Sequence, residues 1–254
     1  MTRQANVGQI VWHDLLTPDV TAAMHFYAEL LGWQYQIEHS TDFVWHSGAA
    51  DYPLILAHGA AHGGFVEMRQ NSLSGWIAYI QVAAVDAITV KAKELGASVE
   101  RTPFDIPGVG RSAVIRDLQG AVICPTVPTY SFPTPSGTFL RDELNTADVE
   151  IAKAFYRALF SESAQDADGQ PLGQFTLFDP TDNHAAVGIV RRSLATVNAA
   201  IWLPYLAIND LNAAVDRAQT LGANVILNAV GQPGAAPFAI LTDPQGAVFG
   251  LSAP

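Results

Sequence analysis

The amino-acid sequence predicts an α+β fold of two similar domains in tandem, each built from two βαβββ motifs. Three observations predict it: a sequence repeat that spans the chain, strand and helix patterns that recur within each repeat, and a proline-rich segment between the repeats. The length of 254 residues suits two domains of ordinary size, and a hydrophobic content of 49% supplies enough side chains for buried cores.

The repeat consists of short matches at a nearly constant spacing. Residues 14–19 match residues 143–148 at a shift of 129, and Phe26-Tyr27 returns at the same shift as Phe155-Tyr156. Later matches have a shift of 126 and comprise Trp76 with Trp202, Tyr79 with Tyr205, residues 95–97 with 221–223, and residues 117–122 with 243–248. Self-similarity of this extent marks a repeated architecture, so two homologous domains are predicted.

Prolines at positions 125, 128, 133 and 135 mark the boundary between the two copies. Proline lacks an amide donor and disfavours helix, so residues 126–137 are predicted to form a stiff, extended linker. The first domain then comprises residues 1–125 and the second comprises residues 138–254.

Each motif is predicted to begin with a strand followed by a helix. Thr17 or Asp19 can cap the first helix, which ends before Gly32, a residue suited to the left-handed position after a helix. Asp86 is the candidate cap of the second helix, residues 87–95, which stops at Gly96. The predicted strands of the first domain are residues 9–16, 43–46, 52–57, 65–68, 76–82, 97–101, 112–116 and 121–124. One motif cannot cover both faces of its curved sheet, so two motifs together form a mixed sheet with a concave cleft.

Composition and charge restrict the partners. The net charge of −11 disfavours a nucleic-acid backbone or an anionic membrane surface, because like charges repel. Cys124 is the only cysteine, so neither an internal disulfide nor a thiolate zinc cluster can form. The N-terminus lacks the apolar core of a signal peptide, and no stretch reaches the roughly 18 apolar residues of a membrane helix, so a cytoplasmic protein is predicted.

The Thr-x-Asp…Phe-Tyr helix, the Ala-x-x-Leu-Gly-Ala helix end and the Asp-Pro-x-Gly-like turn resemble the vicinal oxygen chelate superfamily of glyoxalases, bleomycin-resistance proteins and dioxygenases. The resemblance covers the whole chain, twice. In particular, the chain is similar to the tandem-domain glyoxalase-like proteins of actinobacteria, some of them labelled hydroxylases or 27 kDa antigens. The superfamily includes lyases, isomerases, epimerases, dioxygenases and metal-free drug-binding proteins, so the resemblance implies the fold and leaves the function open.

In metal-using members, the resemblance implies four His, Gln or Glu ligands, on the first and last strands of both motifs of a domain. In the first domain these positions fall on Trp12, near Glu67, on Trp76 to Ile77, and on Cys124. In the second domain they fall on Arg141, residues 188–189, Leu203 and Gly250. The metal candidates are therefore His13 and Glu67, and strand alternation turns His13 away from the side of Trp12. No cofactor is expected, and a divalent metal is the alternative.

Asp14 and Glu143 are the candidate catalytic residues. They lie two residues beyond the first ligand position of each domain, so alternation along the strand places both on the concave face. A carboxylate in an apolar cleft tends to have a raised pKa, as a general acid or base requires. The alternative is a structural role, in which each carboxylate accepts bonds from the backbone or from an arginine such as Arg111.

Aromatic side chains are the candidate ligand-binding residues, because small-molecule pockets are mostly apolar with few polar groups. They are Trp12, Trp45, Trp76, Tyr79, Trp202 and Tyr205. Tyr79 and Tyr205 each follow a tryptophan by three residues, so one of each pair should face the cleft and the other the helices. Packing in a core or a domain interface is the alternative role.

Three functions remain open. The first is a metal-independent protein that binds a small, partly apolar molecule in the clefts of its sheets. The second is a lyase, isomerase or oxygenase that uses Asp14 or Glu143 as acid or base, with a metal at His13 and Glu67 as an option. The third is a structural or interaction role, which no sequence feature supports. A homodimer is also open, although duplication within one chain can replace dimerisation.

Overall fold

The computed structural model describes residues 7–41, 43, 45–46, 48–57, 59–68, 75–129, 138–160, 186–191, 199–229 and 237–253, with the backbone alone for 186–191. The helices are α1 (Val20–Leu31), α2 (Val85–Glu94), α3 (Val149–Leu159) and α4 (Leu211–Thr220). The strands are β1 (Ile10–Thr17), β2 (Gln34–Ser40), β3 (Ala50–Ala57), β4 (Ala60–Glu67), β5 (Gly75–Gln81), β6 (Ser98–Ile106), β7 (Gly110–Arg116), β8 (Val122–Pro128), β9 (Phe139–Thr146), β10 (Ala186–Arg191), β11 (Ile201–Ala207), β12 (Asn224–Asn228), β13 (Phe238–Thr242) and β14 (Val248–Ser252).

These strands form two mixed sheets. One has the order β2-β3-β4-β1-β5-β8-β7-β6, and the other has the order β10-β9-β11-β14-β13-β12. In each motif the first strand pairs in parallel with the last, as β1 does with β4 and β5 with β8. The remaining strands of a motif pair antiparallel, as β6 does with β7 and β7 with β8. The predicted α+β class with βαβββ motifs is confirmed.

By its internal contacts the chain forms two compact units. The first unit comprises residues 1–12, 77–134 and 141–203, and the second comprises residues 13–76, 135–140 and 204–254. Each unit therefore combines one motif from each half of the sequence. The predicted domains follow the sequence repeat, whereas these two units follow the contacts. Of the predicted linker, residues 126–128 belong to β8, and residues 130–137 lie outside the described part of the chain.

The core of the first unit contains a chain of buried hydrogen bonds. Trp202 Nε1–H donates to the Tyr156 hydroxyl at 2.9 Å, and that hydroxyl donates to Asp117 Oδ2 at 3.0 Å. Asp117 Oδ1 accepts the backbone amides of Gln119 and Ala121, each at 2.8 Å. Each of these polar groups is therefore satisfied although it is buried, which is what makes its burial tolerable.

The second unit contains the same chain of bonds. Trp76 Nε1–H donates to the Tyr27 hydroxyl at 3.1 Å, and Tyr27 donates to Asp243 Oδ2 at 3.2 Å. Asp243 Oδ1 accepts the amides of Gln245 and Ala247, each at 2.9 Å. In both units a tyrosine of one half of the sequence bonds to an aspartate of the other half. We call these two chains the Trp–Tyr–Asp networks.

Burial changes the titration of both networks. It raises the pKa of Tyr27 and of Tyr156 well above the ordinary tyrosine value, and the charge of the adjacent aspartate raises it further. Both hydroxyls therefore stay protonated at neutral pH and keep donating to the carboxylates. Burial also raises the pKa of Asp117 and Asp243, while the amide and tyrosine hydrogen bonds lower it.

The first helix ends as the sequence predicts. Asp19 is the N-cap of α1 and accepts the Ala22 amide at 2.9 Å, and Gly32 adopts a left-handed φ of 71° after the helix.

The predicted cap of the second helix is wrong. The N-cap of α2 is Ala84, because the helix starts at Val85, so Asp86 lies in its first turn and binds the Arg111 guanidinium at 2.7 Å and 2.9 Å instead.

The predicted strand at residues 43–46 is also wrong. The strand after α1 is β2, Gln34–Ser40, and the described residues between β2 and β3 are not in a strand. Most side chains of β2 are exposed, and only Tyr35 and Ile37 alternate with polar residues in its sequence, which is a short strand signal. Within the described residues, no helix is long and apolar enough to cross a membrane.

Removing the hydroxyl of Tyr156 or Tyr27 tests the Trp–Tyr–Asp networks. We expect Tyr156→Phe and Tyr27→Phe each to lower the free energy of unfolding by about 2–3 kcal/mol, because a buried indole N–H loses its acceptor and a buried carboxylate loses a donor. Tyr35→Phe is the matched control: its half-buried hydroxyl donates only to the Met24 carbonyl at 2.8 Å, so the cost is about 1 kcal/mol or less. Urea unfolding measures all three. Equal losses for the three variants would contradict this account.

Candidate functional site

In the first unit, the face of β5–β8 that points away from α2 carries a set of polar and aromatic residues. Ala113 and Ile115 of β7 belong to the core cluster that includes Val85 and Ala92 of α2, so the alternate residues of β7 point to the opposite face. Ser112 is one of these, and its hydroxyl hydrogen-bonds the hydroxyl of its partner Thr126 at 2.9 Å.

Two β-bulges in β6 bring Arg101 and Phe104 to this same face. The Cα partner of Val99 is Ile115, on the helix side, whereas the partner of Arg101 is Val114 and that of Phe104 is Ser112. Without the two register shifts, a three-residue separation would put Arg101 and Phe104 on opposite faces. Instead, the guanidinium carbon of Arg101 lies 3.6 Å from the centre of the Phe104 ring, a cation–π contact.

Tyr79 and Cys124 form the buried floor beside this pair. They are Cα partners on β5 and β8, and both side chains are buried, whereas Arg101 and Phe104 are half-buried. Burial lowers the pKa of the Arg101 guanidinium, and the nearby Tyr79 and Cys124 raise it, so the group remains charged at neutral pH. We call the residues Tyr79, Arg101, Phe104, Ser112, Cys124 and Thr126 the Arg101 face.

Glu143 lies on β9 of the first unit, and its neighbour is a cation. It is 6% exposed, and its Oε1 lies 3.2 Å from Nε of Arg141, two residues earlier on the same strand. Arg141 stands where the resemblance implies the first metal ligand of the second half. A guanidinium paired with the predicted catalytic carboxylate thus occupies the position of a metal ligand.

Asp14, in the second unit, forms a hydrogen bond with a tyrosine. It is 2% exposed and accepts the Tyr52 hydroxyl at 2.5 Å. A Cβ atom at Gly64 would lie 2.3 Å from the Tyr52 ring, so only glycine lets this ring cross the strand and reach Asp14. A buried carboxylate in a short bond with a phenol has the composition of an acid–base pair.

His13 and Glu67 do not lie together. The Cα partner of His13 on β4 is Gly63, and the partner of Glu67 on β1 is Thr17, so about four strand residues, or about 13 Å, separate them. His13 stacks on Phe139 with ring centroids 4.0 Å apart. Glu67 instead lines a groove at the start of α1, together with the half-buried Trp45. The strand register therefore separates the two predicted metal ligands, and a metal ion that both would bind remains a prediction.

The aromatic candidates divide between two locations. Trp76 and Trp202 lie in the helix-facing cores, where their indole N–H groups belong to the Trp–Tyr–Asp networks, so both are placed as packing residues and not at a cleft. Tyr79 is on the Arg101 face. Tyr205 is buried in the second unit, where its ring contacts Phe238 and covers Gly250. Trp12 is half-buried on β1 in the first unit.

Most of the described residues at the implied ligand positions do not fit a divalent metal ion. Trp12, Ile77, Leu203 and Gly250 have no side-chain atom that coordinates one, and Arg141 is a cation bound to Glu143. The side chains of residues 188–189 lie outside the described part of the structure. In the described residues, no cluster of three or more His, Cys, Asp or Glu side chains has a geometry that would hold a metal.

Sequence patterns did not identify Arg101, Phe104 or Tyr52. Strict alternation puts Arg101 on the helix side of β6 with Val99, and only the bulges reverse it. Tyr52 lies on a predicted strand, and the glycine opposite its ring was the one available signal that its ring lies flat across the sheet.

The first half of the chain matches a family model. Residues 7–124 match the Glyoxalase/Bleomycin resistance protein/Dioxygenase superfamily. The chain is 31% identical to "Putative glyoxylase CFP32" of Mycobacterium tuberculosis, over 96% of this chain and 94% of that protein. It is 29% identical to the anthracycline biosynthesis protein DauV of Streptomyces sp. strain C5, over 99% of this chain and 94% of that protein.

Solved structures agree in fold. A Mn(II)-bound glyoxalase from Novosphingobium aromaticivorans matches with a TM-score of 0.59 and 14% identity, over 98% of this chain and 82% of that one. A variant of homoprotocatechuate 2,3-dioxygenase from Brevibacterium fuscum matches with a TM-score of 0.59 and 11% identity, over 99% of this chain and 74% of that one. At such identities the likeness concerns the fold alone. The relatives that align along nearly all of both sequences, together with the family model, show that the chain belongs to the Glyoxalase/Bleomycin resistance protein/Dioxygenase superfamily.

Proposed function

We propose that this protein binds a small, partly apolar molecule on the strand faces opposite its helices, and that it does so without a complete metal site. The observation that carries the proposal is the Arg101 face. There, a half-buried cation stacked on an aromatic ring adjoins Cys124, the position of the fourth implied ligand. Apolar surface with a few placed polar groups is the usual composition of a small-molecule site.

The residue at the first implied ligand position of the second half also supports binding without a metal. Arg141 stands at the position of an implied metal ligand and carries a positive charge. Glu143, on the same strand, neutralises that charge. Relatives named for glyoxylase activity and for anthracycline biosynthesis agree with a role on small molecules. The net charge of −11 favours a small molecule over nucleic acid or an anionic membrane as the binding partner.

A catalytic role is the second candidate, and the Asp14–Tyr52 pair favours it. A carboxylate that accepts a 2.5 Å bond from a phenol can exchange a proton with a bound substrate, with Tyr52 returning it. Chemistry of this kind suits a lyase or an isomerase, and an oxygenase would need a metal in addition. Glu143 is the less suitable acid or base, because its Oε1 is already paired with the guanidinium of Arg141 at 3.2 Å.

A thermal-shift screen tests the binding proposal. We expect at least one member of a library of neutral, cationic and anionic aromatic compounds to raise the unfolding midpoint, because a ligand that binds only the folded state at 100 times its Kd adds about 2.7 kcal/mol of stability. Heat-denatured protein refolded without ligand provides the baseline. If no compound shifts the midpoint, the clefts are filled by side chains and the proposal fails.

Metal analysis separates the two candidates. Protein purified without chelators should carry far less than one equivalent of any first-row transition metal, because His13 and Glu67 lie too far apart to share an ion. Glu67→Gln and Asp14→Asn should leave that content unchanged. A stoichiometric metal that Glu67→Gln removes would instead support the metal-dependent enzyme.

A further inference from the structure

We propose that a groove at the ends of α1 and α4 binds an uncharged, apolar small molecule that carries a hydrogen-bond acceptor, such as a carbonyl oxygen. The groove lies in the second unit and has a volume of about 940 Å³, which is within the range of small-molecule pockets. It lies beside the ends of two helices and not on the strand faces opposite the helices. The inference therefore goes beyond the proposed function and does not depend on it.

Both halves of the sequence build this groove. The ends of α1 and β3 come from the first half, and the segment from the end of β11 into α4 comes from the second half. Its apolar lining includes Leu30, Leu31, Leu56, Ile208, Ala213 and Ala214. Such a surface favours the burial of a ring system or a short alkyl chain.

Two largely buried side chains in the lining have polar atoms without partners. Trp33 is 8% exposed and Thr138 is 6% exposed. Within the residues that the structure describes, neither the Trp33 indole N–H nor the Thr138 hydroxyl has a hydrogen-bond partner. By contrast, the indole N–H groups of Trp76 and Trp202 donate to tyrosine hydroxyls at 3.1 Å and 2.9 Å. Because buried polar groups are nearly always satisfied, these two exceptions indicate a partner from outside the chain.

The two side chains lie on neighbouring elements and are held in place. The Trp33 ring lies 5.7 Å from the ring of Phe139, the residue after Thr138, and stacks on Tyr27 with centroids 5.4 Å apart. The Thr138 carbonyl accepts the Ala207 amide at 3.0 Å. Neither unpartnered polar atom is fully enclosed by protein, so a molecule in the groove can reach them. Side chains that are already held in place lose less entropy when a ligand binds.

The chemistry of these two groups indicates an acceptor on the ligand. An indole N–H can only donate, so its partner must be an acceptor, and a threonine hydroxyl can donate as well. A carbonyl oxygen has two lone pairs and can accept from both groups. A ketone, an amide or a lactone on an apolar body therefore matches Trp33 and Thr138.

The charges in the lining favour an uncharged ligand. Among the described lining residues, one acidic residue, Asp210, and one basic residue, Arg217, carry charges that cancel. Asp210 caps α4 by accepting the Ala213 amide at 3.0 Å, and Arg217 forms an ion pair with Glu29. An anion in the groove would meet the Asp210 carboxylate and a cation would meet the Arg217 guanidinium, so neither sign of charge is attracted overall.

A matched pair of probes tests the inference. 2-Acetylnaphthalene and 2-isopropenylnaphthalene have nearly the same shape, but only the first has a carbonyl oxygen. We expect wild-type protein to bind 2-acetylnaphthalene about tenfold more tightly, because its oxygen accepts two hydrogen bonds. NMR titrations give both affinities. The indole N–H resonance of Trp33, assigned with Trp33→Phe, should move downfield with 2-acetylnaphthalene alone.

Thr138→Val removes one donor and nearly preserves the shape of the side chain. Because the hydroxyl has no partner in the described chain, the unfolding midpoint should be unchanged or higher. The preference for 2-acetylnaphthalene should fall to about threefold or less. Thr89→Val is the matched control: it removes a buried hydroxyl that donates to the Val85 carbonyl at 2.8 Å in the first unit, so the preference should persist.

Two substitutions on α4 locate the site. Ala213→Leu adds bulk to the lining of the groove and should weaken the binding of both probes about tenfold or more. Asn212→Leu puts the same side chain at the adjacent exposed position, which does not belong to the described lining, and should leave both affinities unchanged.

Four results would overturn the inference: equal affinities for the two probes, no binding of either probe, an unchanged preference in Thr138→Val, or binding that persists in Ala213→Leu. None of them decides the proposed function, which concerns the strand faces opposite the helices. A compound from the thermal-shift screen whose effect persists in Ala213→Leu would support the proposed function separately.

Discussion

The hydrogen-bond chain from tryptophan through tyrosine to aspartate is the constraint on which the structure depends. It occurs once in each unit, and each time it joins a helix of one half of the sequence to a turn of the other half. A buried indole N–H, a buried hydroxyl and a buried carboxylate are costly singly and tolerable only when they satisfy one another. The requirement is therefore mutual: neither half supplies a complete network, and each motif completes its core with residues from the other copy.

This constraint determines which strand faces are available for function. Because Trp76 and Trp202 serve the networks on the helix side, the residues that alternate with them, Tyr79 and Tyr205, point to the opposite faces. The two faces then differ in the side chains that surround the tyrosine. Tyr205 has Gly250 as its partner, and its ring covers that glycine, whereas Tyr79 has Cys124, beside the cation of Arg101. The two halves share a fold, but the face around Tyr79 carries a charged side chain, whereas the ring of Tyr205 covers a glycine at the equivalent position.

Much of the fold could be predicted from sequence, because its signals are local or repeated. The repeat predicts the motifs, Asp19 and Gly32 predict the ends of α1, and strand alternation predicts that Trp76 and Tyr79 face opposite sides of the sheet. Prediction failed where geometry departs from regular periodicity or where partners are distant. The exposed β2 has only a short apolar alternation at Tyr35 and Ile37. The bulges of β6 reverse the face of Arg101, and the pairing of Tyr156 with Asp117 crosses 39 residues. Alternation already predicted that His13 faces away from the side of Trp12, whereas its separation from Glu67 along the strands needed the strand register.

Crystallography with anomalous scattering, on protein purified without chelators and grown with a compound that raises its unfolding midpoint, tests the central claim of metal-free ligand recognition most directly. The account predicts density for the compound on a strand face opposite the helices and no anomalous peak coordinated by side chains. A transition metal held by three or more side chains in either half would contradict it.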